Sequence, residues 1–469
     1  MTVQSLRKTL AAIAVFAAVV PAAAAQADWS PTSGPHQFDV QAHRGGLGLV
    51  TESTLQSFAN GLEVGVTTLE LDVQITEDRQ AVVTHDRQVQ ASKCRDTQPA
   101  FPGDPEYPYV GDFIRNLTLA QVQTLRCDKP LANFPEQRVV PDARIPNLSQ
   151  VFALVNCYKA NQVWLNVETK VEAGAPEQTA PREQFVQITA REVRDAGLLN
   201  RVTIQSFDWG ALMRMREIEP RLPIVALTNG DFLQVGRPGA SPWLGGIDID
   251  DFGGSLVRGA ASFGADAISP VHGNPQGGKV GDPGYVPYTT PQMVREAHEA
   301  GMAVIPWTVD DPATMESLID AGVDGIITDY PDRLRAVVAA RGFKLPRTYH
   351  EPPGRDCIAE AAASGRGQWA GEDLVAQPPV STSASAIGRS PVASEGRVTS
   401  ALPTVIAVEP PPSRLSASAA PSARMTRADS AKLAPTLWPG RRPSIATSTS
   451  RPSAVTPASV RGLRRSPKR

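Results

Sequence analysis

Between Ala42 and Asp86, three strand-like pieces carry the side chains best suited to chemistry. His43 and Arg44 close one apolar run and precede Gly45 and Gly46. Glu70 and Asp72 sit in the run Thr67–Val73, and His85 with Asp86 closes the run Ala81–Thr84. A strand alternates faces with period two, so Glu70 and Asp72 point the same way. Two carboxylates on one face of an apolar strand repel unless a positive group lies between them, and a divalent cation meets that need. Two histidines at neighbouring strand ends can then act as acid and base around it.

The elements that must position these groups follow from periodicity. Strands are expected at Phe38–Ala42, Thr67–Ile75, Ala81–His85, Val163–Thr169, Val202–Ser206, Ile224–Leu227, Ala267–Ser269, Ala303–Val309 and Gly325–Thr328. Helices are expected at Thr54–Val64, Leu148–Val155, Arg182–Ala196, Trp209–Glu217, Pro291–Ala300, Pro312–Ala321 and Asp332–Arg341. Leu55, Phe58, Ala59 and Leu62 fall at helical spacing, and Pro291 and Pro312 suit first turns. Repeated strand–helix alternation points to a parallel α/β fold, and a (β/α)8 TIM barrel matches the size. Nine runs compete for eight places, which leaves either Gly325–Thr328 or Ala267–Ser269 as an extension. A long insertion, Ser92–Asn147, follows the third strand and is expected over the active face.

Active groups of such barrels stand at the C-terminal ends of strands. That rule selects His43, Arg44, Glu70, Asp72, His85, Glu168, Lys170, Gln205, Ser206 and Trp307. Singly, each has an ordinary explanation: an ion pair, a helix cap, a core indole. Together they are costly to bury without purpose. Glu70, Asp72 and Glu168 offer oxygen ligands only, which suits Ca²⁺ or Mg²⁺ better than zinc. Arg44 and Lys170 add positive charge, so a phosphate group fits beside the cation. One histidine takes a proton from the attacking hydroxyl and the other gives one to the leaving alkoxide. No P-loop or dinucleotide glycine fingerprint is present, which argues against nucleotide hydrolysis and hydride transfer.

These motifs resemble the glycerophosphodiester phosphodiesterase family, within the phosphatidylinositol-phospholipase-C-like superfamily of barrels. The resemblance rests on Ala42-His43-Arg44-Gly45-Gly46, Thr51-Glu52-Ser53-Thr54, Leu69-Glu70-Leu71-Asp72-Val73 and Val82-Val83-Thr84-His85-Asp86. It continues through Val167-Glu168-Thr169-Lys170, Gln205-Ser206-Phe207, Trp307-Thr308-Val309 and Gly325–Pro331, and spans residues 38–342. It implies that His43 and His85 are the acid/base pair and that Glu70, Asp72 and Glu168 hold the metal. It implies that Arg44 and Lys170 contact phosphate, with Glu52, Gln205 and Trp307 on the substrate side. Glu52 lies in Thr-Glu-Ser-Thr where the family usually has Pro-Glu-Asn-Thr. The Gly45–Gly46 pair is expected to give the backbone room near phosphate. The implied reaction cleaves small glycerophosphodiesters to glycerol 3-phosphate and an alcohol. Two rivals stand beside it: a phospholipase D-like enzyme acting on sphingomyelin or lysophospholipid, and a noncatalytic binder of wall polymer or anionic surface.

Composition sets the setting. Arg7 and Lys8 precede an apolar run, Thr9–Val20, with small-residue cleavage sites near Ala25 and Ala27. Residues 1–27 therefore read as a signal peptide, and the protein as secreted or periplasmic. No later segment suits stable membrane insertion, and nucleic acid is not an expected partner. Export favours disulfides among Cys94, Cys127, Cys157 and Cys357. Four cysteines allow three pairings, and Cys94 with Cys127 is favoured because both lie in the insertion. The formal charge is only -2, yet the stretch from Arg347 to Arg469 holds an excess of Lys and Arg over Asp and Glu. This Ser/Ala/Pro/Arg-rich stretch is expected to be a disordered tail, passive or in weak contact with anionic surfaces.

Overall fold

Each β-branched run pairs in parallel with its neighbours. The computed structural model describes residues 37–365; the expected signal peptide and the tail beyond residue 365 lie outside the described residues. In chain order the strands are β1 (Asp39–Ala42), β2 (Thr68–Ile75), β3 (Ala81–Val83), β4 (Trp164–Thr169), β5 (Val202–Ser206) and β6 (Ile224–Thr228). Then follow β7 (Ala267–Pro270), β8 (Gly273–Asn274), β9 (Val286–Pro287), β10 (Ala303–Val304) and β11 (Gly325–Thr328). The sheet order is β10-β7-β6-β5-β4-β2-β1-β11, and its neighbours are parallel. Backbone bonds from Asp324 to Val304, Ile327 to Pro306 and Val309 to Ile327, each 3.0 Å, join the two ends. The result is a nearly closed eight-strand barrel.

Both Gly325–Thr328 and Ala267–Pro270 are barrel strands, contrary to the sequence expectation. The surplus run is β3, which pairs antiparallel with β2 through Val73 and Val83. Its three residues form a hairpin, so the insertion hangs from that hairpin and not from a barrel strand. Strand spacing alone cannot reveal this, because an antiparallel return and a parallel neighbour share period two.

The barrel lumen is divided. On one side Asp39, Gln41, Thr68, Glu70, Asn166 and Gln205 are linked by side-chain hydrogen bonds of 2.7–3.0 Å. On the other, Val225, Ala267, Ile305 and Ile327 form a small apolar cluster. The alternate residues of the same strands, such as Val40, Leu69, Leu165 and Ile204, belong to the large outer core beneath the helices. Both faces of these parallel strands are therefore buried.

Around the barrel pack α1 (Leu55–Val64), then α2 (Leu119–Thr124) in the insertion, α3 (Leu148–Cys157), α4 (Arg182–Asp195) and α5 (Trp209–Ile218). They are followed by α6 (Leu256–Ser262), α7 (Pro291–Glu299), α8 (Pro312–Ala321), α9 (Pro331–Ala340) and α10 (Cys357–Ser364). Caps explain several starts: Thr54 and Ser57 form a reciprocal box before α1, and Asp311 caps α8 ahead of Pro312. The insertion packs Tyr109, Ile114, Leu117 and Leu125 into a second core against Val82 of β3, and the Cys94–Cys127 disulfide ties it.

Part of the supposed tail is ordered. Residues 347–365 fold back: Tyr349 N–H donates to Leu62 at 2.9 Å, and Cys357 is disulfide-bonded to Cys157 on α3. The short apolar stretch Cys357–Ala363 supplies a buried face, with Cys357 and Ala361 both covered. Composition averaged over the whole tail hid that stretch.

Candidate active site

β1 ends in a sharp left-handed turn. Arg44, Gly45 and Gly46 all have positive φ, at 52°, 81° and 101°. A Cβ on Gly45 would lie 2.6 Å from Ser57 Oγ and 2.8 Å from the Phe58 amide nitrogen. The glycine therefore permits close approach of α1. The turn aims the Arg44 amide at Glu70 Oε2, 2.9 Å away. A left-handed arginine is strained, and such strain concentrates at functional sites. Ser53, which stands in the asparagine place of the family's usual segment, also has positive φ at 55°, a conformation that asparagine adopts more readily.

The parallel register sets Asp72 beside Glu168, and Glu168 beside Gln205. Ligand oxygens of Glu70, Asp72 and Glu168 come within 4.8 Å of one another, and all three residues are buried. Gln205 Nε2 donates to Glu70 Oε1 at 2.7 Å, while Asn166 occupies the Gln205 oxygen at 2.9 Å. Both ends of Gln205 are thus engaged below the carboxylates. Gln205 therefore supports Glu70.

Asp72 is distinctive. It is fully buried, yet neither of its side-chain oxygens has a hydrogen-bond partner. Arg44 Nε and Lys170 Nζ stand 3.4 and 3.5 Å from those oxygens. Burial would raise the Asp72 carboxyl, but Lys170, His85 and Arg44 outweigh it and hold it below the usual carboxylate range. Glu70 is pushed up by burial and by the Asp72 charge. Glu168 is pushed up by burial, against the Lys170 ammonium 2.9 Å away. An anionic Asp72 with unspent oxygens, beside two carboxyls that resist ionising alone, is a donor set that a hard divalent cation would complete.

Two imidazoles flank the carboxylates. His43 Nδ1 lies 2.5 Å from Asp329 Oδ1, and its Nε2 is 4.0 Å from Glu70. Burial and Arg44 oppose its protonation, but Asp329 and Glu70 prevail and its pKa is raised. Asp329 follows β11, and its backbone N–H donates to Asp310 Oδ1 at 2.9 Å. His85 lies just after the hairpin strand β3, not at a barrel-strand end. Its Nδ1 is 3.0 Å from Asp86. Burial, with Lys170 and Arg44, pushes its pKa well below the ordinary value. The two histidines are thus driven in opposite directions by their surroundings.

Glu52 accepts a 2.5 Å bond from Arg44 and lies 2.7 Å from Lys93. Burial opposes its charge, but those two cations bring its carboxyl down to about 2. Trp307 lines a cavity of about 560 Å³ together with Phe207, Phe232, Trp243, His85 and Lys170. Phe232 and Trp243 stack at 4.0 Å, and Phe207 meets Trp307 edge-on at 5.3 Å. Ser206 is buried and donates to the Thr169 carbonyl, so it serves the scaffold.

The sequence reading assigned no role to Asp329, Asp86, Lys93, Phe207, Phe232 or Trp243. Asp86 and Asp329 were visible as acids inside matching motifs. Lys93, Phe232 and Trp243 lie in loops without periodicity and gave no signal.

The Glycerophosphoryl diester phosphodiesterase family pattern matches residues 43–333. A glycerophosphodiester phosphodiesterase from Caldanaerobacter subterraneus subsp. tengcongensis is 27% identical over 303 residues, 65% of this chain and 98% of that one. Another from Bacillus subtilis is 22% identical over 309 residues, covering 65% and 87% of the two chains. A solved structure from Silicibacter pomeroyi DSS-3, named for the same activity, aligns with a TM-score of 0.54 at 28% identity. It covers 66% of this chain and 96% of that one.

Proposed function

Because the chain belongs to the glycerophosphoryl diester phosphodiesterase family, we propose that it is an exported, metal-dependent enzyme that cleaves small glycerophosphodiesters to glycerol 3-phosphate and an alcohol. The observation that carries the reading is the buried Glu70–Asp72–Glu168 triad, with Asp72 unbonded, set between two histidines of opposed basicity. The three carboxylates would hold Ca²⁺ or Mg²⁺, which when bound neutralises charge on the phosphate oxygens.

The chain's own residues supply the rest. Arg44 and Lys170 point their cationic groups at the same carboxylates and are placed to draw the phosphate toward them. His85, kept neutral, accepts the proton of the glycerol 2-hydroxyl as that oxygen bonds to phosphorus. His43, whose protonated form Asp329 favours, donates to the alcohol oxygen as its bond to phosphorus breaks. Water then opens the cyclic phosphate with the histidines in exchanged roles. Trp307 and its aromatic neighbours wall the cavity against bulk water.

Export is supported by the N-terminal segment and by both disulfides, which pair all four cysteines. Among the described residues no helix is long and apolar enough to cross a membrane. Release of glycerol 3-phosphate from glycerophosphocholine, abolished by EDTA and restored by Ca²⁺ or Mg²⁺, tests the reading. Turnover of sphingomyelin or lysophospholipid with no such release would replace it by the phospholipase D-like alternative.

A further inference from the structure

Lys93 belongs to the insertion, far in sequence from β1 and β2. Its ammonium nevertheless lies 2.7 Å from Glu52 Oε1 and 2.5 Å from Asp86 Oδ2. Each of those carboxylates uses its other oxygen on a group of the proposed machinery. Glu52 Oε2 holds Arg44 at 2.5 Å, and Asp86 Oδ1 holds His85 Nδ1 at 3.0 Å. One cation therefore joins the phosphate-binding arginine to the proton-accepting histidine through two carboxylate bridges.

The backbone around Lys93 is built to hold that position. Lys93 and Cys94 both donate to the Gln90 carbonyl, at 3.0 and 2.8 Å. Arg95 and Arg126 exchange bonds of 2.8 and 3.0 Å, and the Lys129 amide donates to the Lys93 carbonyl at 3.2 Å. The Cys94–Cys127 disulfide lies between those two contacts. A cavity beside the lysine is lined by Glu52, Asp86, Cys94 and Cys127.

We propose that Lys93 is a positioning residue, a clamp through which the disulfide-tied insertion orients Arg44 and His85 for catalysis. This rests on the proposed function above. Without the ammonium, Glu52 keeps Arg44 as a partner, but Asp86 loses the one ion-pair partner other than His85 that it has among the described residues. Asp86 can then turn toward solvent and release the imidazole. The insertion is on this reading a working part of the site as well as a cover.

The test compares Lys93→Met, Lys93→Arg and a same-loop control, Lys129→Met, in the full-length protein. The Lys129 side chain donates to the Ala91 carbonyl, and the substitution keeps the backbone amide that meets Lys93. On glycerophosphocholine with saturating Mg²⁺ or Ca²⁺, Lys93→Met should lower kcat about tenfold or more with KM within about twofold, as for other supporting partners of active groups. Lys93→Arg should recover most of the loss, and Lys129→Met should match wild type. A kcat for Lys93→Met within about twofold of wild type, or an equal loss in Lys129→Met, would overturn the clamp. If the methionine variant does not fold, Lys93→Gln decides by the same criterion. Imidazole ¹⁵N spectra of the metal-free proteins give a readout independent of turnover: the His85 signal should move in Lys93→Met and stay in Lys129→Met. A wild-type protein silent on glycerophosphocholine would remove the proposed function, while an unmoved His85 signal would remove the clamp.

Discussion

Replacing Asp329 by asparagine isolates the role of the His43 carboxylate partner. The bond between Asp329 Oδ1 and His43 Nδ1 is 2.5 Å long, and both side chains are largely removed from water. A hydrogen bond to a charged group in such surroundings contributes about 1.5–3 kcal/mol. If that is felt only while the imidazole is cationic, kcat falls by about 10- to 150-fold at 1.36 kcal/mol per decade. Asparagine keeps the shape, so the fold and the carboxylate triad should persist, and KM should change little. The acid–base sign is also fixed. Asp329 raises the His43 pKa, so loss of its charge lowers it, and the alkaline fall of kcat should move to lower pH. The assay is glycerol 3-phosphate release at saturating metal across pH 5–10, with thermal melts as a control on folding. A kcat within about twofold of wild type in a folded variant, or an alkaline limb that stays in place, would refute the assignment of His43 as the Asp329-held acid.

Other outcomes follow from the same geometry. His43→Ala and His85→Ala should each lose about two or more orders of magnitude in turnover while calorimetry still detects Ca²⁺ or Mg²⁺ binding. The pKa values of Glu70 and Glu168 are raised by burial, so their folded forms retain protons that the unfolded chain has released. The metal-free protein should therefore lose stability as pH rises from the carboxylate range through neutrality. Added metal should raise the melting temperature more at pH 8 than at pH 5.5, and an equal rise at both would count against the triad as ligands. Replacing Cys157 and Cys357 by serine removes a link of sequence separation 200 and should cost about 2–5 kcal/mol in urea unfolding. That pair lies outside the groups of the candidate site, so kcat in the folded state should be unchanged.

Most of the fold was legible in the chain. Seven helices and the strand runs of the barrel were placed by periodicity, because burying one helix stripe or both strand faces imposes a regular pattern on sequence. The triad was legible for the same reason: the spacing of Glu70 and Asp72 puts both on one face. The hairpin status of β3, the ordered stretch 347–365 and α6 were not. Each is short, and its state depends on what it packs against.

The functional residues divide along the same line. Residue type and local spacing determined which side chains could bind a cation, carry phosphate or move a proton, because those capacities are properties of the groups themselves. Tertiary structure decided their use. It placed Gln205 beneath Glu70, turned Glu52 and Gly45 into supports, and left Asp72 without a hydrogen bond. It pushed two chemically identical histidines in opposite directions: burial, with Lys170 and Arg44, lowers His85, while Asp329 and Glu70 overcome burial at His43. It also brought Lys93 to the site from a loop with no pattern of its own. Charge–charge distances across the chain set these outcomes, and such distances exist only once the barrel has closed.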